Sequence, residues 1–125
     1  MYGWVGNIVN VDLSTGQVAT EPTEPYVDQY LGGRGLGVRL IYDAWKPGSD
    51  PLGPGNPLIF NTGPLSGTAL AGSGRVDVTA VSPMSNLRAK SNFGAYWGPE
   101  LKFAGFDHLV IEGKADKPVY LFITD

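Results

Sequence analysis

Two glycine-rich loops, Gly63–Gly74 and Ser91–Gly98, stand on either side of one short alternating strand, Arg75–Val81. Val76, Val78 and Ala80 share one face of that strand; Asp77 and Thr79 take the other. Glycine lets a backbone approach a neighbour or a ligand closely and adopts positive φ without strain. A loop of this kind, ending in Gly74-Arg75, is either a set of tight turns between strands or a cradle. The cradle would offer main-chain N–H groups and a guanidinium to a large polar or anionic ligand. Spacing alone leaves both open. With 18 glycines and 10 prolines in 125 residues, every element around these loops has to be short.

Ahead of the loops, Val5, Val9, Val11 and Leu13 share a parity, which predicts a strand with one buried face, and Ser14-Thr15-Gly16 turns it into a hairpin with Gln17–Thr20. Thr23-Glu24-Pro25 has the form of a helix start, with Tyr26, Tyr30 and Leu31 at helical spacing and Gly32-Gly33 as the stop. Leu36, Leu40, Ile41, Ala44 and Trp45 then form the apolar face of a second helix, closed by Lys46-Pro47-Gly48. GGRGLG (Gly32–Gly37) lies between the two. Its spacing is wrong for a dinucleotide fingerprint, which also requires a preceding strand, so it reads as a helix–helix corner. Arg34 there is badly placed for the second helix's dipole; an anionic partner would relieve it, and a solvated arginine is the plainer expectation.

Ser49–Pro57 is an irregular connection, and Leu58-Ile59-Phe60 a covered strand. Ser82–Asn92 reads as a polar connection whose Arg88 and Lys90 serve solubility by default. Trp97, Leu101 and Ala104 mark a helix that Pro99 prevents from starting much before residue 96 and that Gly105 caps. His108–Ile111 and Val119–Ile123 are expected to be strands joined by a turn, with His108 an ordinary strand-end residue. The pattern is α+β: β-rich mixed sheets with a few short helices.

Hydrophobic content of 42% against 17% charged residues describes a folded domain, and a net charge of -3 without a basic cluster gives nucleic-acid binding no support. No apolar run reaches membrane-spanning length and no signal peptide precedes the first strand, so the expectation is no membrane partner and a cytoplasmic location. Absence of cysteine and a single histidine exclude disulfides, thiolate or multi-histidine metal sites and iron–sulfur ligation from within this chain.

Five blocks, in order, carry a more specific signal: MYGWVGNIVNVDLSTG, YLGGRGLG, PLIFNTGPLSGT, GSGRVDVTAVSP and NFGAYWGPELKFAGFDHLVIEGKADKPVY. Together they resemble the opening of the tungsten-containing aldehyde:ferredoxin oxidoreductases, over residues 1–125. The resemblance implies an amino-terminal domain that forms the base for a bis-pterin cofactor carrying tungsten (or molybdenum). By this resemblance the whole enzyme would oxidise aldehydes to carboxylic acids and send electrons through a [4Fe–4S] cluster to ferredoxin. The cluster's ligands would lie outside this chain.

The resemblance also implies roles for particular residues. Arg75, after Gly74, matches a family arginine between a pterin and the cluster. Asn92 matches an asparagine that helps hold a Mg2+ bridging the pterin phosphates, and the backbone at Gly94 and Ala95 would lie beside the pterin. Without those roles, Arg75 would pair with Asp77 or Asp107, and Asn92 would cap a helix. The chain departs from the family pattern at Ser73, at Phe93 and Ala95, and at Pro99. Its apolar ending, VYLFITD, leads us to expect an incomplete domain, inactive alone, that contacts the remaining domains and self-associates in isolation. The alternatives are a scaffold domain that kept the fold without the cofactor and a binding module for another phosphate-bearing ligand.

Overall fold

The computed structural model describes residues 2–124; Met1 and Asp125 lie outside the described residues. Six strands, β1 (Asn7–Asp12), β2 (Gln17–Pro22), β3 (Leu58–Asn61), β4 (Val76–Val81), β5 (Arg88–Phe93) and β6 (His108–Glu112), form one mixed sheet in the order β2-β1-β6-β3-β4-β5. Only the β1–β6 pair runs parallel; the other neighbours are antiparallel. Helices α1 (Gly33–Ala44) and α2 (Trp97–Phe103) complete the α+β domain.

The helices cover opposite faces of the sheet. On one side Leu36, Leu40 and Ile41 of α1 pack on Ile8, Ile59 and Val81. On the other, Leu101 of α2 packs on Val9 and Leu109, with Phe60, Trp97 and Ile111 around them. Successive strand residues point to opposite faces, so Ile8 and Val9, or Ile59 and Phe60, divide between the two clusters. β1 therefore buries both faces near its start, where its parity predicted one. Among the described residues no helix is long and apolar enough to cross a membrane.

Four expected elements come out differently. The first helix is only a 3-10 turn, Glu24–Tyr26, and the expected capping hydroxyl of Thr23 is engaged elsewhere, donating to Asp107 Oδ2 at 3.0 Å. α1 then begins at Gly33, so GGRGLG forms the helix's N-cap and first turns rather than a corner. Close packing explains its last glycine, since a Cβ on Gly37 would overlap the Asn61 amide. Within Ser82–Asn92, β5 pairs with β4 from Val76↔Phe93 to Val81↔Arg88. Residues 119–123 form no strand. β6 already has β1 on one edge and β3 on the other, which leaves no place for a hairpin partner.

Asp107, just before β6, joins the layers. Its carboxylate accepts from Val5 N (2.9 Å), Gly6 N (2.7 Å), Thr23 Oγ1 and the Lys102 ammonium (2.6 Å), while Lys102 also donates to the Gly3 carbonyl at 2.9 Å. Both side chains are buried. Burial pushes the Asp107 carboxyl up, but the Lys102 contact and the two amides outweigh it and hold the group below its ordinary value. The resulting stabilisation is present above pH 3.8, the unfolded value, and is lost as the pH falls through the lower native value. Asp107→Asn leaves Lys102 as an unpaired buried charge and is expected to cost about 3–5 kcal/mol in urea denaturation at pH 7. A loss under about 1 kcal/mol would mean that the contact is not a structural tie.

Candidate functional site

The start of α1 and the adjoining ends of β4 and β5 meet at an open cleft of ≈ 240 Å3, with Gly33, Arg34, Asn61, Arg75, Asp77 and Asn92 among its walls. Register places these residues. Asp77 of β4 stands opposite Asn92 of β5, so both point to the face that α1 covers, and Arg34 comes from the first turn of α1. Arg75 directly precedes β4 and also borders a neighbouring hollow formed by Leu31, Gly32, Gly63 and Ser73.

The residues singled out from sequence are brought together. Arg75 and Asn92 line the same cleft. Neither side chain has a hydrogen-bond or ion-pair partner among the described residues. Asp77 pairs instead with Arg34 and Arg88, and Asp107 with Lys102. Asn92 is a strand residue; the residue capping α2 is Tyr96. Gly94 lies beside the Arg75 stem, and Ala95 packs over Gly74, where any Cβ would come within 2.7 Å of the Ala95 carbonyl oxygen. Gly94 and Ala95 therefore shape the rim next to Arg75.

The departures from the family pattern fit this local structure. Phe93, next to Asn92 on the strand, faces the opposite side, where its ring meets Trp97 at 5.4 Å and Phe60 at 6.3 Å. That aromatic contact anchors the end of β5 and leaves the Asn92 side free. Ala95 adopts φ 67°, a left-handed backbone of the kind glycine takes readily, so the loop keeps its course without a glycine there. Pro99 falls at the third residue of α2, where a missing N–H breaks no intrahelical bond. Ser73 offers its carbonyl to the Ser66 hydroxyl at 3.2 Å, tying the two ends of the loop that precedes Arg75.

Beneath the cleft, Asn61 links three strands. Its amide nitrogen donates to the carbonyls of Ile59 (3.3 Å) and Asp77 (3.2 Å), which turns its oxygen toward His108 Nδ1 at 3.0 Å. His108 Nδ1 therefore carries the proton, and Nε2 is buried without a partner among the described residues. Burial lowers the His108 pKa from 6.5 to about 4, the nearby Asp107 charge only partly opposing it. His108 is a neutral group buried beneath the cleft, behind Asn61.

Sequence reasoning missed Asp77 as a hub. Its Oδ2 receives Arg34 Nε and its Oδ1 receives Arg88 Nη2, each at 3.4 Å, while Arg88 Nη2 also donates to Thr79 Oγ1 at 3.0 Å. Arg88 thus ties β5 to β4 instead of serving solubility. The available signal was the alternation of β4, which sets Asp77 and Thr79 on one face; without β5, nothing indicated which cations lay across from them.

Residues 8–125 match the family described as aldehyde ferredoxin oxidoreductase, N-terminal domain. The chain belongs to this family. Over 126 residues it is 45% identical to the tungsten-containing aldehyde ferredoxin oxidoreductases of Pyrococcus furiosus and of Thermococcus kodakarensis, covering 100% of this chain and 21% of each relative. A Pyrococcus furiosus aliphatic sulfonate oxidoreductase, WOR-like subunit, is 38% identical over 98% of this chain and 20% of its own length. Among solved structures, the active site complex BamBC of benzoyl coenzyme A reductase, in complex with 1,5-dienoyl-CoA, superposes with a TM-score of 0.92. It is 40% identical, with 98% of this chain and 19% of that one covered. The chain thus spans about a fifth of the length of the relatives it matches.

The neutral, buried state of His108 has a measurable consequence. Between pH 6.5 and about 4 the unfolded chain binds a proton that the native chain does not, so acidification lowers stability across that window. Denaturation curves at pH 7, 6 and 5 are expected to show a declining midpoint for the native sequence and a flatter profile for His108→Gln. Equal slopes in both would contradict a neutral native His108.

Proposed function

We propose that this chain is the cofactor-facing, amino-terminal part of a longer tungstopterin oxidoreductase, with residues 1–125 an incomplete domain that is inactive alone. Arg75 and Asn92 carry the reading: distant in sequence, they line one cleft with no partner of their own among the described residues. The donor set suits the proposed group. A guanidinium offers several parallel N–H donors to carbonyl or phosphate edges. An asparagine oxygen suits Mg2+, which keeps waters and phosphate oxygens as its remaining ligands. The rim at half-buried Gly94 and exposed Ala95 gives backbone access beside Arg75.

In this reading Arg75 would hold and orient a pterin edge while compensating its negative charge, and Asn92 would offer an oxygen ligand to a Mg2+. Bound there, a tungsten pterin would supply the two-electron oxidation of an aldehyde with water to a carboxylic acid. The [4Fe–4S] ligands, the substrate contacts and the ferredoxin surface belong to the rest of the polypeptide, and the location is cytoplasmic. The exposed Leu31, Leu65, Leu70, Tyr96 and Phe103 form apolar surface for those further domains, so the isolated chain self-associates.

In the full-length protein, Arg75→Gln and Asn92→Ala are each expected to lower bound tungsten and pterin per protomer, with cofactor affinity reduced about tenfold or more for Arg75→Gln. Metal analysis and pterin fluorescence would report it, and full retention in both variants would overturn the cradle. For the isolated chain, light scattering at low micromolar concentration should give a dimer or larger species. A monomer would contradict the interface assignment.

A further inference from the structure

The same cleft holds a surplus of positive charge that the proposed roles of Arg75 and Asn92 do not use. Arg34 and Arg75 line it with a single carboxylate, Asp77, and that carboxylate is also paired with Arg88, which lies outside the lining. Asp77 shares its one negative charge between Arg34 on Oδ2 and Arg88 on Oδ1, where Thr79 also donates, and Arg75 makes no ion pair with it. Arg34 reaches Asp77 through Nε alone. Its two terminal nitrogens make no hydrogen bond among the described residues, and its side chain is 56% exposed against 10% for Asp77. Arg34 also stands in the first turn of α1, where a cation is disfavoured unless an anion lies nearby.

We infer that Arg34, held through Nε by Asp77, is an anion-binding residue of the cleft, presenting its terminal guanidinium edge to a phosphate-class group shared with Arg75. Two guanidinium forks on one small cleft match a group with several anionic oxygens better than a lone carboxylate. Asp77 is a positioning residue: it fixes the direction of Arg34 and, through Arg88, the separation of β4 and β5 at this point. The inference rests on the cradle reading for the source of the phosphate, which would be the phosphate arm of the cofactor, although free inorganic phosphate offers the same chemistry.

The test uses the full-length protein, purified with its cofactor and also prepared free of it, as Arg34→Gln, Arg34→Lys and Arg75→Gln. Tungsten and pterin per protomer are measured on the first preparation, and calorimetric titration with inorganic pyrophosphate on the second. Arg34→Gln is expected to lower cofactor content and to weaken pyrophosphate binding about 10- to 100-fold. Arg34→Lys, which keeps the charge but not the fork, should fall between Arg34→Gln and the native protein, a graded response that a purely structural role would not give. Weakened pyrophosphate binding with full cofactor content would uphold the anion site and assign it to free phosphate. Unchanged content and affinity in Arg34→Gln, with cofactor lost from Arg75→Gln, would overturn the role of Arg34 while the cradle stands. Full cofactor content in Arg75→Gln as well, with pyrophosphate binding unchanged, would overturn both.

Discussion

Burying the Asp107 carboxylate against the Lys102 ammonium at 2.6 Å removes two charges from water, a loss of several kcal/mol for each ion unless further partners converge on the pair. Here they do. Val5 and Gly6 amides and the Thr23 hydroxyl complete the carboxylate, and the Gly3 carbonyl adds an acceptor for the ammonium. Through these bonds one residue holds the amino-terminal segment, the turn after β2, α2 and the start of β6. Its backbone carbonyl accepts from the Thr62 amide and hydroxyl, and the Thr62 carbonyl receives the Gly33 amide at the start of α1. The path from the buried ion pair to Arg34 is therefore a short chain of hydrogen bonds.

On the other side, Asn61 continues β3 into the cleft floor, holding the Asp77 carbonyl and the His108 ring together. Gly37 allows α1 to sit directly on that amide. The cleft is thus bounded by groups whose positions are settled by buried polar contacts, and its free groups, Arg75, Asn92 and the outer edge of Arg34, project from a fixed frame. A site meant to recognise a large anionic ligand benefits from such preorganisation, because the donors need not be reordered when the ligand arrives.

Much of this was legible in the sequence. The β1–β2 hairpin, α1 by its apolar face, β3, β4, α2 and β6 follow from periodicity and from glycine and proline positions. Arg75 already stood out at the end of its glycine-rich loop, and the family resemblance gave it a role; Asn92 came from the resemblance alone. What was not legible depended on tertiary partners. The polar composition of β5 hides a strand that exists because β4 offers it an edge. Thr23 looked like a helix cap until a buried carboxylate far along the chain claimed its hydroxyl. The apolar segment 119–123 looked like a strand because nothing in the sequence shows that both edges of β6 are already taken. The Arg34–Asp77–Arg88 arrangement required β5 to be recognised first.

The central claim is that the cleft between α1, β4 and β5 receives a pterin cofactor. The most direct measurement is diffraction from crystals of the full-length protein at the tungsten absorption edge, with the cofactor traced from the anomalous peak. The account predicts pterin and phosphate density running along the cleft, with Arg75 against a pterin edge and Asn92 beside a Mg2+. A tungsten peak whose pterin density lies away from these residues, with the cleft filled by another part of the polypeptide, would contradict it.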